Sequence, residues 1–216
     1  MNNWEKNQNI LDKLLVTGVE LPQDLYGWLK NSCIEARKNK ISMRSRLAGH
    51  IKEEYRIPSD NITQEFKEFI ADNSNKGNVY KSCMNLYSNL PSDYKLFISD
   101  LWVNYQKKYE FNPPHSHSGV ASFVIFIHIP YDLSEEEKVF HDDGVIKTSK
   151  FEFLSPSNNH RGGVALDTLD VDKSFEGKII MFPSYLQHEV FPFYTSDDYR
   201  ITVSGNAIFD IDRPTS

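Results

Sequence analysis

The sequence predicts a mainly β protein with helices (an α+β fold), in which an N-terminal helical lobe covers a sandwich or barrel of strands. Apolar residues recur at helical spacing in the first ninety residues, whereas short apolar segments separated by turn residues follow from about residue 96. The 14 Phe and 11 Tyr suit a sheet-rich core. We expect one domain over 1–216, with a mostly helical supporting lobe at 1–90 and a β core at 91–216.

Within the N-terminal lobe, apolar residues at a spacing of four predict an amphipathic helix over 22–38. The same spacing predicts a helix around 47–55 and another over 62–70. The segment 72–78 is rich in Asn, Ser and Gly, which predicts a loop.

The C-terminal part predicts a series of short strands, at 96–106, 123–129, 151–154, 164–169, 178–182, 188–194 and 199–209. The segment 123–129 is apolar with almost no alternation, which is typical of a strand buried on both faces. We therefore expect the N-terminal helices to cover one face of the sheet that contains it.

Charge and cysteine content indicate the kind of partner and the cellular compartment of the protein. A net charge of -6 argues against a duplex nucleic acid partner, although a local basic groove stays compatible with it. Cys33 and Cys83 fit no metal-binding spacing and are interpreted as reduced thiols. The chain shows neither a signal peptide at its start nor a run of about 18 apolar residues. These features predict a cytoplasmic protein without a membrane partner.

The first candidate site residues are His115 and His117, which stand just before the apolar run from Val120 to Ile129. Residues one apart on a strand share a face, so the two imidazoles could chelate one cation. Two exposed loop histidines are the alternative interpretation.

A third histidine, His188, begins a later predicted strand and could complete a facial set of ligands. Imidazole nitrogens suit Fe, Zn, Cu or Ni, so the spacing alone does not select the metal.

Arg200 is the candidate anion-binding residue. If 188–194 and 199–209 form a hairpin centred on Ser196, His188 faces Ser204 and Arg200 lies on the same face. A guanidinium there could hold a carboxylate in a bidentate fork. A surface ion pair with a neighbouring aspartate is the alternative.

Four motifs then carry a resemblance to a known family: Asn112-Pro113-Pro114-His115-Ser116-His117-Ser118-Gly119, Ser122–Phe126, Phe182-Pro183-Ser184 followed by His188, and Tyr199–Asn206. In this order and spacing they resemble the Fe(II)- and 2-oxoglutarate-dependent dioxygenase superfamily, and within it uncharacterised, often phage-encoded members. The resemblance covers about 96–209. It implies a double-stranded β-helix (jelly roll) with the N-terminal helices packed on the major sheet.

The resemblance also implies a ligand set. His115 and His188 match the first and distal metal ligands, whereas His117 stands where the family usually has an acidic residue. Either the site is an all-histidine triad of His115, His117 and His188, or His117 supports the site and the third ligand is another group or a water.

For the co-substrate, Arg200 matches the residue that binds the C5 carboxylate of 2-oxoglutarate, with Thr202 or Ser204 as a hydroxyl partner. Asn104 and Gln106, which alternate on the strand before the first motif, are candidates for hydrogen bonds to the co-substrate.

The function that the resemblance implies is an oxygenase that uses Fe(II), 2-oxoglutarate and O2 to hydroxylate a substrate, with release of succinate and CO2. Two alternatives stay open: a cupin-like metal protein that uses the three histidines without a 2-oxoacid, and a non-catalytic jelly-roll binding module with a vestigial metal site. The sequence indicates neither the prime substrate nor the oligomeric state.

Overall fold

Two antiparallel β-sheets face each other in the computed structural model, which describes residues 1–76, 96–140, 147–156 and 163–209. The helices are α1 (Asn3–Lys13), α2 (Gln23–Asn39), α3 (Gln64–Lys76) and the short α4 (Leu133–Glu136). The strands are β1 (Thr17–Glu20), β2 (Glu53–Arg56), β3 (Leu96–Gln106), β4 (Asn112–His115), β5 (Ala121–His128), β6 (Phe151–Pro156), β7 (Val164–Leu169), β8 (Lys178–Pro183), β9 (Gln187–Val190) and β10 (Arg200–Phe209).

The major sheet has six strands in the order β1-β8-β5-β10-β3-β2, and the minor sheet has four in the order β4-β9-β6-β7. All strand pairs are antiparallel. Strands that follow one another in the chain often lie in different sheets, so the architecture is a two-sheet sandwich with helices. This confirms the predicted fold class.

Helices α2 and α3 cover the outer face of the major sheet, as predicted. Leu29 of α2 and Phe66 of α3 are fully buried in one apolar cluster with Ile125 of β5 and Val203 of β10. The opposite face of β5 packs into a second cluster between the sheets, to which Phe126 belongs. Strand β5 is therefore buried on both faces, which explains its lack of polar alternation.

Between the sheets, the core is aromatic. Phe126 and Phe182 come from the major sheet and Phe151 and Phe153 from the minor sheet, and each is buried. The rings of Phe153 and Phe182 lie 5.3 Å apart in an edge-to-face contact, so the two sheets are joined directly through these side chains.

Two predictions for the N-terminal lobe are wrong. The predicted helix at 47–55 is a loop that leads into strand β2, because Glu53–Arg56 pairs along the edge of β3. The predicted loop at 72–78 is helical as far as Lys76, and its remaining residues lie outside the described part of the chain. The lobe also supplies β1, so it contributes two strands to the major sheet.

The predicted hairpin between 188–194 and 199–209 is also wrong. Strand β9 ends at Val190 and lies in the minor sheet, whereas β10 lies in the major sheet. The segment 191–199 crosses from one sheet to the other, so no register between the two strands exists.

Two further observations concern the predicted setting. Cys33 is a buried free thiol, and Cys83 lies outside the described residues. In the described ranges, none of the helices combines the length and apolarity that crossing a bilayer would need.

Candidate metal centre

Three imidazoles converge at the edge of the minor sheet. His115 ends the edge strand β4 and is the direct cross-strand partner of His188 on β9. Their ring centroids lie 4.3 Å apart. One nitrogen from each of His115, His117 and His188 lies within 4.8 Å of the other two, a spacing that one metal ion could bridge.

His117 reaches this cluster from outside the strand, contrary to the predicted shared strand face. Strand β4 ends at His115, and Pro113 and Pro114 interrupt its ladder, as expected of prolines in an edge strand. The backbone N–H of His117 instead donates to the carbonyl of Ser184 at 2.9 Å, just after β8. This bond ties the loop to the major sheet.

The backbone sets the tautomers of two of these histidines. The Nδ1 atom of His115 lies 2.7 Å from the carbonyl of Pro113, and that of His188 lies 3.1 Å from the carbonyl of Leu186. A carbonyl only accepts, so each Nδ1 carries the proton and each Nε2 keeps its lone pair. The Nε2 of His188 lies 3.3 Å from that of His117, inside the cluster.

Burial keeps the three rings neutral. It lowers the pKa of His115, lowers the pKa of His117 to about 4, and holds the pKa of His188 well below its usual value, with the neighbouring imidazoles adding to the effect on the last two. Neutral imidazole is the form that binds a metal. The donor set therefore fits an ion such as Fe(II) without any rearrangement of protons at neutral pH.

Aromatic side chains fix the ring of His188 and exclude water from it. Phe151 stacks on this ring at 5.4 Å and Phe182 contacts it edge-on at 4.7 Å. Trp102 packs near His117 at 5.9 Å, on the side of the major sheet.

The cluster opens into a cavity of about 140 Å³ between the sheets. All eight predicted site residues line it: Asn104, Gln106, His115, His117, His188, Arg200, Thr202 and Ser204. Their roles stay predictions, but the structure brings every one of them to the same cavity.

Arg200 is the charged residue of this set and is buried, with 3% of its surface exposed. Its guanidinium donates to the Gln106 amide oxygen from Nε (3.0 Å) and Nη2 (2.7 Å), to the Tyr131 hydroxyl (3.1 Å), and to the carbonyls of Ser149 (3.0 Å) and Phe191 (2.8 Å). All five N–H groups thus have acceptors, and none of these acceptors is a carboxylate. The alternative interpretation, a surface ion pair with a neighbouring aspartate, is not found in the described part of the chain.

Hydroxyl and amide groups form a second network beside Arg200. The Asn104 amide donates to the hydroxyls of Thr202 and Ser204, both at 3.1 Å, and its oxygen accepts from the Trp102 indole at 3.1 Å. Asn104 and Thr202 are direct cross-strand partners on β3 and β10, so the register of the sheet places this network.

Sequence reasoning missed several residues of the cavity wall. Glu54, Asn112 and Phe151 line it, as does the loop 46–49, and Tyr131 orients Arg200. Glu54 was missed because its segment was predicted as an amphipathic helix. Only its pairing with β3 reveals which side chains point inward.

Comparison with known proteins places this geometry in a family. Residues 100–206 match a family model described as "Putative 2OG-Fe(II) oxygenase". No curated protein sequence matches the chain.

Three solved structures are similar. A prolyl-4-hydroxylase from Pseudomonas putida is 12% identical with a TM-score of 0.53, over 95% of this chain and 98% of that one. An oxidoreductase of the 2OG-Fe(II) oxygenase family from Burkholderia pseudomallei is 13% identical with a TM-score of 0.46, over 95% and 88%. A protein named OsALKBH1 is 11% identical with a TM-score of 0.49, over 89% and 97%.

At this identity, the similarity to the Pseudomonas putida structure shows the fold alone. The fold is the predicted jelly roll, and it carries a neutral three-histidine cluster of the kind that suits a mononuclear metal. The match over residues 100–206, just under half of the chain, confirms the predicted resemblance to the 2OG-Fe(II) oxygenase superfamily. This resemblance implies Fe(II), 2-oxoglutarate and O2 as the metal and small-molecule co-substrates.

Proposed function

We propose that this protein is an Fe(II)- and 2-oxoglutarate-dependent oxygenase that hydroxylates a prime substrate, with release of succinate and CO2. In this proposal His115, His117 and His188 hold the iron. Arg200, with Thr202 or Ser204, binds the distal carboxylate of 2-oxoglutarate. Bound iron would supply O2 activation, and the protein would position the reactants and exclude water.

One observation carries the proposal. Three neutral imidazoles meet within 4.8 Å at one part of a cavity that also contains a buried arginine without a carboxylate partner among the described residues. A buried cation is costly unless an anion or several hydrogen bonds compensate it. A dicarboxylate that spans from the histidines to Arg200 would bind the metal with one end and give the guanidinium a counter-charge with the other.

Gln106 has a specific part in this proposal. Its amide oxygen accepts from both Nε and Nη2 of Arg200, which is the edge of the guanidinium that a carboxylate binds in a bidentate pair. We infer that the co-substrate carboxylate takes the place of this neutral oxygen, because hydrogen bonds to a charged acceptor are about twice as strong. The other acceptors, Tyr131, Ser149 and Phe191, would keep the guanidinium in place.

The network of Asn104, Thr202 and Ser204 supports the neighbouring position. Its hydroxyls line the cavity beside Arg200, and either could donate to the same carboxylate. Trp102 fixes the Asn104 amide, so the two hydroxyls are held by a ring that also packs near His117.

The hydrogen bonds of Arg200 also suit a second candidate function. All five N–H groups of Arg200 already have acceptors within the protein. A cupin-like metal protein that uses the three histidines without a 2-oxoacid would need nothing further from Arg200. The two candidates differ in whether 2-oxoglutarate binds.

Anaerobic titration with Fe(II), with and without 2-oxoglutarate, tests the proposal. We expect a weak visible charge-transfer band only when both are present, and succinate formation once O2 is admitted. Iron binding without the band would favour the cupin-like candidate, and failure to bind iron would favour a non-catalytic module.

The remaining expectations stay predictions. A cytoplasmic location, a relation to phage-encoded members and the absence of a nucleic acid partner rest on sequence features alone. Fractionation of cells that produce the protein would test the first of them.

A further inference from the structure

Two buried acceptor groups line the cavity, and neither accepts a hydrogen bond from the described residues. Glu54, on β2, has 2% of its surface exposed, and no hydrogen bond or ion pair reaches its carboxylate from the described part of the chain. The Oδ1 atom of Asn112 is buried and also lacks a hydrogen-bond partner there. Buried acceptors without donors are uncommon in folded proteins and costly, so each calls for an explanation.

The two acceptors lie close to the same glycine. A methyl group on Gly49 would lie 2.0 Å from Oδ1 of Asn112 and 3.4 Å from Oε1 of Glu54. The Asn112 amide thus fills the space that a side chain at position 49 would take. Asn112 and Glu54 therefore form one small patch of the cavity wall.

Glu54 belongs to the same wall as the candidate co-substrate network. It is the cross-strand partner of Asn104, which in turn pairs with Thr202. Cross-strand partners point to the same face of a sheet, so this row runs across the cavity wall from β2 to β10. A molecule held at Glu54 therefore lies in the cavity that also contains the three histidines.

Nearby charges do not neutralise Glu54. Arg44 attracts its carboxylate from an exposed turn but forms no ion pair with it in the described residues, and Glu110 repels it. Arg46 also lines the cavity, but its guanidinium pairs with Asp100 at 3.4 Å. Burial raises the pKa of Glu54 to about 7, which is the behaviour of a carboxylate that lacks a cation.

We propose that Glu54 and Asn112 bind a cationic, N–H-rich group of the prime substrate, an ammonium or a guanidinium. Such a group offers several donors and one positive charge, which complements two acceptors and one negative charge. The inference rests on the proposed oxygenase function for the identity of this molecule as the substrate. The group that Glu54 and Asn112 recognise is cationic. The hydroxylated atom would lie elsewhere in the same molecule, towards the histidines.

The test uses n-butylguanidinium and n-butylammonium as probes, with n-butylurea as the neutral control. The full chain without added metal is titrated at pH 8, and binding is followed by the NMR signal of the Trp102 indole N–H, which lies in the cavity. The variant Glu54→Gln keeps the shape and removes the charge. The matched control Glu35→Gln removes the same charge from an exposed position on α2.

We expect the cations to bind the wild type and Glu35→Gln equally, and to bind Glu54→Gln at least about tenfold more weakly, since a hydrogen bond to a charged group contributes about 1.5–3 kcal/mol. The variant Gly49→Ala should also weaken binding, because its methyl group displaces the Asn112 amide. Equal binding to the wild type and Glu54→Gln would overturn the inference. So would equal binding of n-butylurea, or no binding of either cation to the wild type.

The charge-transfer titration separates this inference from the proposed function. Glu54→Gln should keep the band, because the residue contacts neither the iron nor 2-oxoglutarate in the proposal. A band without Glu54-dependent cation binding refutes the inference alone. Glu54-dependent binding without a band in the wild type refutes the oxygenase and leaves the cation site standing.

Discussion

Gln106 and Arg200 are direct cross-strand partners on β3 and β10, and the Gln106 amide oxygen accepts two hydrogen bonds from the guanidinium, at 3.0 and 2.7 Å. The pair is buried on the cavity wall. A neutral oxygen thus occupies the edge of the arginine that suits a carboxylate. In the proposed function, co-substrate binding would therefore exchange one acceptor of Arg200 for another.

The exchange predicts opposite effects for the two partners. Arg200→Lys keeps the charge but loses the bidentate fork, so we expect 2-oxoglutarate to bind at least about tenfold more weakly while Fe(II) affinity is unchanged. Gln106→Ala removes the competing acceptor, so we expect 2-oxoglutarate affinity to be equal or higher. Titration of the charge-transfer band with 2-oxoglutarate measures both. Unaltered affinity in Arg200→Lys would contradict the role of the arginine.

His188 offers the sharpest test of metal binding, because it is the most deeply buried of the three histidines. We expect His188→Ala to weaken Fe(II) binding by at least about 100-fold. A smaller loss could come from a residue that only supports a ligand through a hydrogen bond. His128→Ala is the matched control, since His128 is half-exposed and pairs with Glu176 at 3.3 Å. Anaerobic calorimetry measures both affinities, and equal values would exclude His188 as a ligand.

Much of the β half could be predicted because its signals are local. Apolar segments bounded by turn residues placed β3, β7 and β10 within a residue or so of their observed limits. Strand β2 gave no such signal, since Glu53-Glu54-Tyr55-Arg56 becomes a strand only through pairing with β3. Tertiary context decides such short polar strands.

The site illustrates the same limit. Arg200 was expected in the cavity through a hairpin that does not exist, yet it lies there because β10 pairs with β3 and faces the minor sheet that carries His188. The residue types and their order in the chain were sufficient to identify the cluster. Which strands form one sheet depends on the path of the segment 191–199, which apolar spacing does not encode.

The raised pKa of Glu54 predicts a pH-dependent stability. The folded protein keeps this proton up to about pH 7, whereas the unfolded chain releases it near pH 4.5. Folding stability therefore falls as pH rises between these values, by at most about 1.4 kcal/mol per pH unit. Arg44 and Glu110 are the charged groups that act on this carboxylate.

We expect Glu54→Gln to remove that part of the slope and to be more stable than the wild type at pH 8. Urea unfolding of both proteins at pH 5, 6, 7 and 8 measures the difference. If the stabilities of the wild type and the variant change with pH in the same way, folding does not raise the pKa of Glu54.

A second buried carboxylate, Glu136, supports the site from a distance. It is fully buried on α4 and accepts from the backbone N–H groups of Tyr194 and Thr195 and from the Thr195 hydroxyl. These residues belong to the crossing segment whose Phe191 carbonyl holds Arg200. Glu136 therefore fixes the path on which the arginine depends.

We expect Glu136→Ala to lower the free energy of unfolding by about 3 kcal/mol, because it removes the charged, buried acceptor of three donors. It should also weaken 2-oxoglutarate binding through the displaced carbonyl of Phe191. Glu135→Ala is the control: Glu135 is exposed and pairs with Lys138, so we expect a change within about 0.5 kcal/mol. Chemical unfolding of the two variants measures the first effect, and titration of the charge-transfer band with 2-oxoglutarate measures the second. Unaltered 2-oxoglutarate affinity in Glu136→Ala would exclude a positioning role.

His117 decides whether the metal site has two protein ligands or three. Its imidazole nitrogen lies 3.3 Å from that of His188, but the residue lies beyond the end of β4. If His117 is a ligand, His117→Ala should weaken Fe(II) binding by at least about 100-fold, and His117→Asp should restore it, since a carboxylate is also an Fe(II) ligand. If it is a supporting residue, His117→Ala should cost less than about 100-fold and His117→Asp should not restore the affinity.

The same pair of variants tests the charge of the site. Three neutral imidazoles leave the full charge of a divalent ion to attract a dianionic co-substrate, whereas an aspartate at position 117 cancels one unit of it. We therefore expect His117→Asp to bind iron as well as the wild type but 2-oxoglutarate more weakly, as measured by the charge-transfer band. A stronger band in His117→Asp than in the wild type would show instead that the histidine impairs the site, which would favour a vestigial centre. Circular dichroism of each variant verifies that the fold is kept.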